Sequence, residues 1–174
     1  MKLNKNLVLV GMMGSGKSSI GKILSKKLEF EFIDTDNKIE ELEKKTISEI
    51  FKLNGEKYFR DIEEVISLRS LKLNNKIIAL GGGGYINPVI RKCAQKKCLS
   101  VWLNWENETL INRIKNSKKR PLAVKMDNLG LQKLIVKRSI MYNLSDYKIN
   151  CDKLDKNQIV EKIISFYEKS KNTN

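Results

Sequence analysis

Short apolar runs alternate with longer stretches in which apolar residues recur every three or four positions, and this alternation covers most of the 174 residues. The short runs predict strands at 6–10, 31–34, 76–80, 100–103 and 147–150. The longer stretches predict helices at 17–28, 37–53, 55–72, 87–96, 106–114, 129–142 and 156–169. Ile20, Ile23, Leu24 and Leu28 share one face of the first helix. Ile159, Ile163, Ile164 and, less closely, Phe166 share a face of the last, which Asp155 or Asn157 is placed to cap. Strands separated by helical crossovers imply an α/β fold, a five-stranded parallel sheet covered by helices on both faces. No repeat, Pro-rich linker or low-complexity block divides the chain, so 1–174 is expected to form one domain with a frayed tail at 171–174. A domain of this length buries about 70% of its unfolded surface and needs neither disulfide nor structural metal.

Where the first apolar run ends, the chain reads Gly11-Met12-Met13-Gly14-Ser15-Gly16-Lys17-Ser18, the G-x-x-x-x-G-K-[ST] pattern, and continues through Ser19 into a helical stretch. Glycines let successive backbone N–H groups turn inward around a phosphate, and the following helix adds the positive end of its dipole. Lys17 can then reach the β and γ phosphates, and Ser18 can ligate Mg²⁺. A glycine-rich turn that binds nothing is the competing reading. The strand before it and the helix after it are the context that a phosphate loop requires.

Further candidates follow the second and third strands. Asp34-Thr35-Asp36 stands at the carboxyl end of a strand, where open α/β sheets face their ligand, and two residues apart in extended chain the carboxylates would share one side. One suits a metal and the other a hydroxyl proton, although Asp36 reads equally as the cap of a helix from 37. Gly81-Gly82-Gly83-Gly84 costs more backbone entropy than a turn requires, so a ligand or another segment should approach it closely. Arg60, in Gly55-Glu56-Lys57-Tyr58-Phe59-Arg60, and Arg138, four residues before Tyr142, each also suit a solvated helix face. The polar connection 115–127, with Arg120 beside Pro121, has few apolar anchors and is expected to act as a lid.

A net charge of +14 changes this picture less than its size suggests. Basic surfaces attract polyanions, yet only six of the 34 basic residues are Arg, and the lysines are scattered with no aromatic-interleaved stripe. A solvated surface with no nucleic-acid partner is expected. Scarce arginine is the informative cation, because its planar fork grips carboxylate and phosphate in a bidentate way. There is no histidine, and Cys93, Cys98 and Cys151 form no C-x-x-C pair, so a His-ligated zinc site is excluded and the thiols read as reduced. No apolar run approaches the roughly 18 residues of a membrane span, and a cytoplasmic chain without a membrane partner is expected.

In order and spacing, GMMGSGKSSIGK, FIDTD, EIF with GEKYFR, GGGG, RPL and R-x-x-x-Y resemble the motifs of shikimate kinases over nearly all of 8–147. The resemblance implies a P-loop nucleoside-triphosphate hydrolase-like fold, three layers α/β/α with strand order 2-3-1-4-5 and a mobile lid. It implies a monomeric enzyme that uses Mg²⁺ and transfers the γ-phosphoryl group of ATP to the 3-hydroxyl of shikimate, in aromatic amino-acid biosynthesis. Carried over by position, Gly11, Met12, Met13, Gly14, Ser15, Gly16, Lys17, Ser18 and Ser19 would hold ATP, with Ser18 and Asp34 at the metal. Asp36 would hold the shikimate hydroxyls and act in catalysis with Lys17 and Arg120. Arg60 and Arg138 would grip the shikimate carboxylate, the Gly81, Gly82 and Gly83 backbone would line the same pocket, and about 35–62 would form the acceptor-binding helical segment. Arg120 resembles the lid arginine, and Arg113 the one that stacks on adenine.

The chain departs from that pattern at a few positions. Lys44 or Lys45 replaces a helix-ending glycine, Gly84 stands where Ala is common, and Ala123 follows RPL. The adenine-side segment 151–157 matches too loosely to assign. A gluconate or nucleoside monophosphate kinase of the same fold remains a rival reading, as does a nucleotide-dependent nucleic-acid-binding module.

Overall fold

The computed structural model describes residues 5–116 and 126–172. Strands β1 (Asn6–Val10), β2 (Glu31–Asp34), β3 (Lys76–Ala79), β4 (Cys98–Asn104) and β5 (Tyr147–Asn150) form one parallel sheet in the order β2-β3-β1-β4-β5. Alternation along the strands divides the core between two faces. Val8, Val10, Ile78 and Leu80 pack with Tyr85, Ile90, Leu131 and Ile135. Leu7, Leu9, Ile77 and Val101 pack with Ile20, Leu24, Ile159 and Ile163. Because both faces are covered, the central strands read as unbroken apolar runs.

The helices are α1 (Lys17–Leu28), α2 (Thr35–Glu43), α3 (Ile47–Leu71), α4 (Pro88–Lys97), α5 (Asn107–Lys115), α6 (Asn128–Tyr142) and α7 (Lys156–Asn172), with a 3₁₀ turn at Gly84–Ile86. α1 lies close on β2, since a Cβ at Gly21 would overlap the Phe32 ring. Asp155 caps α7: its Oδ1 accepts from Gln158 N at 2.9 Å while Gln158 Oε1 accepts from Asp155 N at 3.0 Å. This helix runs on to Asn172, into the segment expected to fray.

Between β2 and β3 the helical boundaries differ from expectation. α2 starts at Thr35, two residues early, because Asp34 Oδ1 accepts from Asp36 N at 3.1 Å and Asn37 N at 3.5 Å. Asp34 rather than Asp36 is therefore the cap, and the two carboxylates do not lie along one side of a strand. α2 stops at Glu43 because Lys44 turns left-handed (φ 52°, ψ 33°), taking the conformation that glycine usually supplies. Thr46 then opens α3 with a capping box, its hydroxyl accepting from Glu49 N at 3.3 Å and its N–H donating to Glu49 Oε2 at 2.7 Å. Within α3, Gly55 is non-helical (φ 82°, ψ 172°) and separates two helical stretches by a kink, which is the break expected between 53 and 55. Ile39, Ile50 and Phe59 form a small core of their own beneath α2 and α3.

The expected lid is described only at its ends, and Arg120 lies outside the described residues, as do 173–174. Among the described residues no helix is long and apolar enough to cross a membrane. Burial pushes the thiols of Cys98 and Cys151 up to about 12, so both stay protonated, as inert core residues do.

Candidate active site

The order β2-β3-β1 brings three carboxyl-terminal strand ends side by side, and the loops leaving them carry most of the candidate residues. After β1, Gly11, Gly14 and Gly16 take φ of 142°, 80° and 89°, where an L side chain is strained. The loop thereby curls, and Lys17 opens α1 while its ammonium bends back over it. Lys17 Nζ donates to Gly11 O at 2.9 Å and to Met12 O at 3.0 Å, and only 8% of the residue is exposed. Ser15 Oγ is buried without a hydrogen-bond partner among the described residues, so the loop holds unspent polar capacity. A cleft of about 280 Å³ opens here, lined by Gly14, Gly16, Lys17, Ser18, Ser19, Asp34 and Asp36 among others. Ser18 Oγ donates to Asp34 Oδ2 at 2.5 Å, so the one carboxylate that caps α2 also meets the phosphate loop.

None of the four glycines after β3 has a positive φ; Gly81, Gly82 and Gly83 supply room, whereas a Cβ at Gly84 would make only ordinary contacts. A Cβ at Gly81 would overlap Asp36 Oδ1 and lie 2.9 Å from Glu63 Oε1. At Gly83 it would overlap Arg60 Nη1, and at Gly82 it would lie 3.5 Å from Arg138 Nη1 and 3.2 Å from Met13 N. Asp36, Arg60 and Arg138 are thus gathered around one turn of backbone, beside the phosphate loop. Thr35 Oγ1 accepts from Gly81 N at 2.9 Å, and Tyr142 donates its hydroxyl proton to Gly82 O at 2.5 Å, which hold that turn in place.

Arg60 is half-buried rather than a solvated helix residue. Its Nη1 donates to Glu63 Oε2 at 2.7 Å and its Nη2 to Glu56 Oε1 at 3.1 Å. Glu63 is 2% exposed, and burial raises its carboxyl above the ordinary value, outweighing the pull of Arg60 and the weaker pull of Arg138. Sequence reasoning passed over Glu63. Its spacing of three from Arg60 on a helix was the available signal. Arg138 Nη1 lies 3.8 Å from Met12 Sδ, one turn from Tyr142 on α6. Arg113, on α5, lies against the phosphate loop, its Cβ 3.5 Å from where a Cβ at Gly14 would stand.

A family model of shikimate kinases matches residues 13–168. The chain belongs to the shikimate kinase family. It is 38% identical over 164 residues to the shikimate kinase of Caldicellulosiruptor bescii, covering 94% of this chain and 95% of that one. The solved shikimate kinase of Acinetobacter baumannii in complex with shikimate aligns with a TM-score of 0.90 at 29% identity, covering 96% of this chain and 94% of that one. The Aquifex aeolicus shikimate kinase aligns at 0.83 with 32% identity, covering 94% and 96%. As a member of this family the chain is an ATP-dependent kinase, and the strand order expected from the resemblance is the one observed.

Proposed function

We propose that this chain transfers the γ-phosphoryl group of ATP to the 3-hydroxyl of shikimate, giving shikimate 3-phosphate and ADP, as a cytoplasmic monomer of one domain. The observation that carries the reading is the convergence of Arg60, Arg138 and Asp36 on the Gly81–Gly83 backbone, beside the Lys17 loop. Two guanidinium groups suit one carboxylate, and a carboxylate acceptor suits hydroxyls, which is the chemistry of a polyhydroxy acid rather than of a nucleoside.

In this reading the 11–19 loop holds the ATP phosphates, and Lys17 leaves the Gly11 and Met12 carbonyls for the transferred group. Arg113 meets adenine, and Arg120 neutralises charge on the γ-phosphate during transfer. Asp36 orients the acceptor hydroxyl and takes its proton, while Arg60 and Arg138 hold the far end of the substrate. Ser18 and Asp34 fit Mg²⁺: a hydroxyl and a carboxylate already in contact are a donor set for a hard cation that keeps several waters and binds substrate phosphates. Among the described residues no group of three or more acidic or sulfur side chains offers a protein cage instead. Held by Ser18 and Asp34, Mg²⁺ would supply charge neutralisation for the ATP phosphates. Most of the remaining catalysis is positioning, since phosphoryl transfer asks little covalent chemistry of the protein.

A coupled assay for ADP release tests the reading, with shikimate, gluconate or a nucleoside monophosphate as acceptor. Release that depends on shikimate alone is expected. Release driven by either other acceptor overturns the substrate assignment, and a salt-sensitive gel shift with nucleic acid but no turnover favours the binding-module rival.

A further inference from the structure

No motif in the sequence includes Trp105, the first residue after β4, yet its indole meets two parts of the nucleotide site at once. Nε1 donates to Ser15 O in the phosphate loop at 2.9 Å. On the ring itself rests the Arg113 guanidinium, with Cζ 3.7 Å from the ring centroid. Arg113 is otherwise exposed and has no salt bridge among the described residues. The Trp105 backbone is anchored from both sides. Cys151 N donates to Asn104 O at 2.9 Å, and Asp152 accepts from Glu106 N at 2.9 Å and Thr109 Oγ1 at 2.8 Å. The segment 151–152, which the sequence left unassigned, thus holds the turn from which Trp105 projects.

We propose that Trp105 is a positioning residue for the nucleotide: it holds Arg113 flat as a platform for the adenine base and ties that platform to the phosphate loop through Ser15. The proposal rests on ATP being the phosphoryl donor. An arginine on an exposed helix samples many rotamers, and a base that stacks on it must first order it. With one face of the guanidinium already on an indole, that ordering is complete before ATP arrives. The bond to Ser15 O sets the distance between the base platform and the glycines that take the phosphates, so both ends of the nucleotide are addressed by one rigid unit.

Steady-state kinetics on the full chain test this, using Trp105→Leu, Trp105→Phe, Arg113→Ala and the double variant Trp105→Leu/Arg113→Ala. Trp105→Leu is expected to raise the ATP KM about tenfold with kcat and shikimate KM within about twofold, the split that loss of donor binding alone produces. Trp105→Phe keeps a smaller aromatic face and loses the N–H, so a rise of about threefold is expected, and it serves where the Leu variant melts early. In the Arg113→Ala background the Trp105→Leu penalty should shrink, because part of it acts through Arg113. A parent-like ATP KM in both Trp105 variants, equal rises for both substrates, or an undiminished penalty in the double variant overturns the proposal. A parent protein that does not bind ATP overturns the donor assignment and this proposal with it, whereas parental binding beside unaffected variants overturns this proposal alone.

Discussion

Gly83 lies against Arg60: a Cβ at Gly83 would overlap Nη1 and stand 3.0 Å from Cζ. Gly83 itself has φ −93° and ψ −21°, a conformation open to any residue, so space and not backbone freedom is what the position demands. Gly83→Ala is expected to turn the guanidinium aside while the fold persists, costing about 1–3 kcal/mol of shikimate binding. Kinetics would show a raised shikimate KM with ATP KM unchanged. A parent-like shikimate KM would separate Arg60 from the acceptor.

Lys17→Ala removes the cation that the loop holds over its own carbonyls. Loss of phosphoryl transfer by about two to three orders of magnitude is expected, as for other groups that stabilise developing charge. The thermal midpoint should stay near the parent's, because Lys17 faces the cleft rather than the apolar core. Near-parental turnover would remove Lys17 from the mechanism.

Arg60→Lys and Arg138→Lys preserve charge and remove the fork. Leaving a carboxylate without its bidentate partner costs about 2–5 kcal/mol, so each change should raise the shikimate requirement strongly and leave ATP affinity near normal. Isothermal titration with each ligand separates the two effects. Shikimate binding like the parent's in both variants places the carboxylate elsewhere.

Glu63 sets a pH dependence with a defined sign. Its folded-state value is raised from 4.5 by burial, so between that point and the folded value the native state binds more protons than the unfolded chain. Ionisation of Glu63 therefore costs stability as pH rises through this window, and the cost is complete above it. Glu63→Gln should flatten that part of the stability profile, read from denaturant midpoints between acid and neutral pH. A parallel profile in the variant would mean that Arg60 offsets the burial fully. Because the amide binds Arg60 less tightly than a carboxylate, shikimate KM should rise in the same variant.

The five strands and the phosphate loop were legible in the sequence because both signals are local. Runs such as Leu7–Val10 are apolar throughout when buried on two faces, and Gly11, Gly14 and Gly16 sit at φ values that other residues adopt only with strain. Helix ends were less legible. Apolar spacing continues past Glu43, and apart from the family resemblance, which puts a helix-ending glycine at Lys44 or Lys45, nothing in Lys44 itself announces a left-handed residue, so the break before Thr46 depends on how α2 and α3 fold onto Ile39, Ile50 and Phe59. Arg60 read alone suits a solvated helix, because Glu56 and Glu63 answer it within one turn. Only the packing of α3 against the glycine turn after β3 buries Glu63 and brings Arg60 to Asp36 and Arg138. Trp105 is the clearest case. Its bond to Ser15 exists because β4 pairs with β1 in register, Val10 opposite Trp102, which sets the chain leaving one strand beside the loop leaving the other. Pairing between strands far apart in the chain is long-range, and no local pattern of residues carries it.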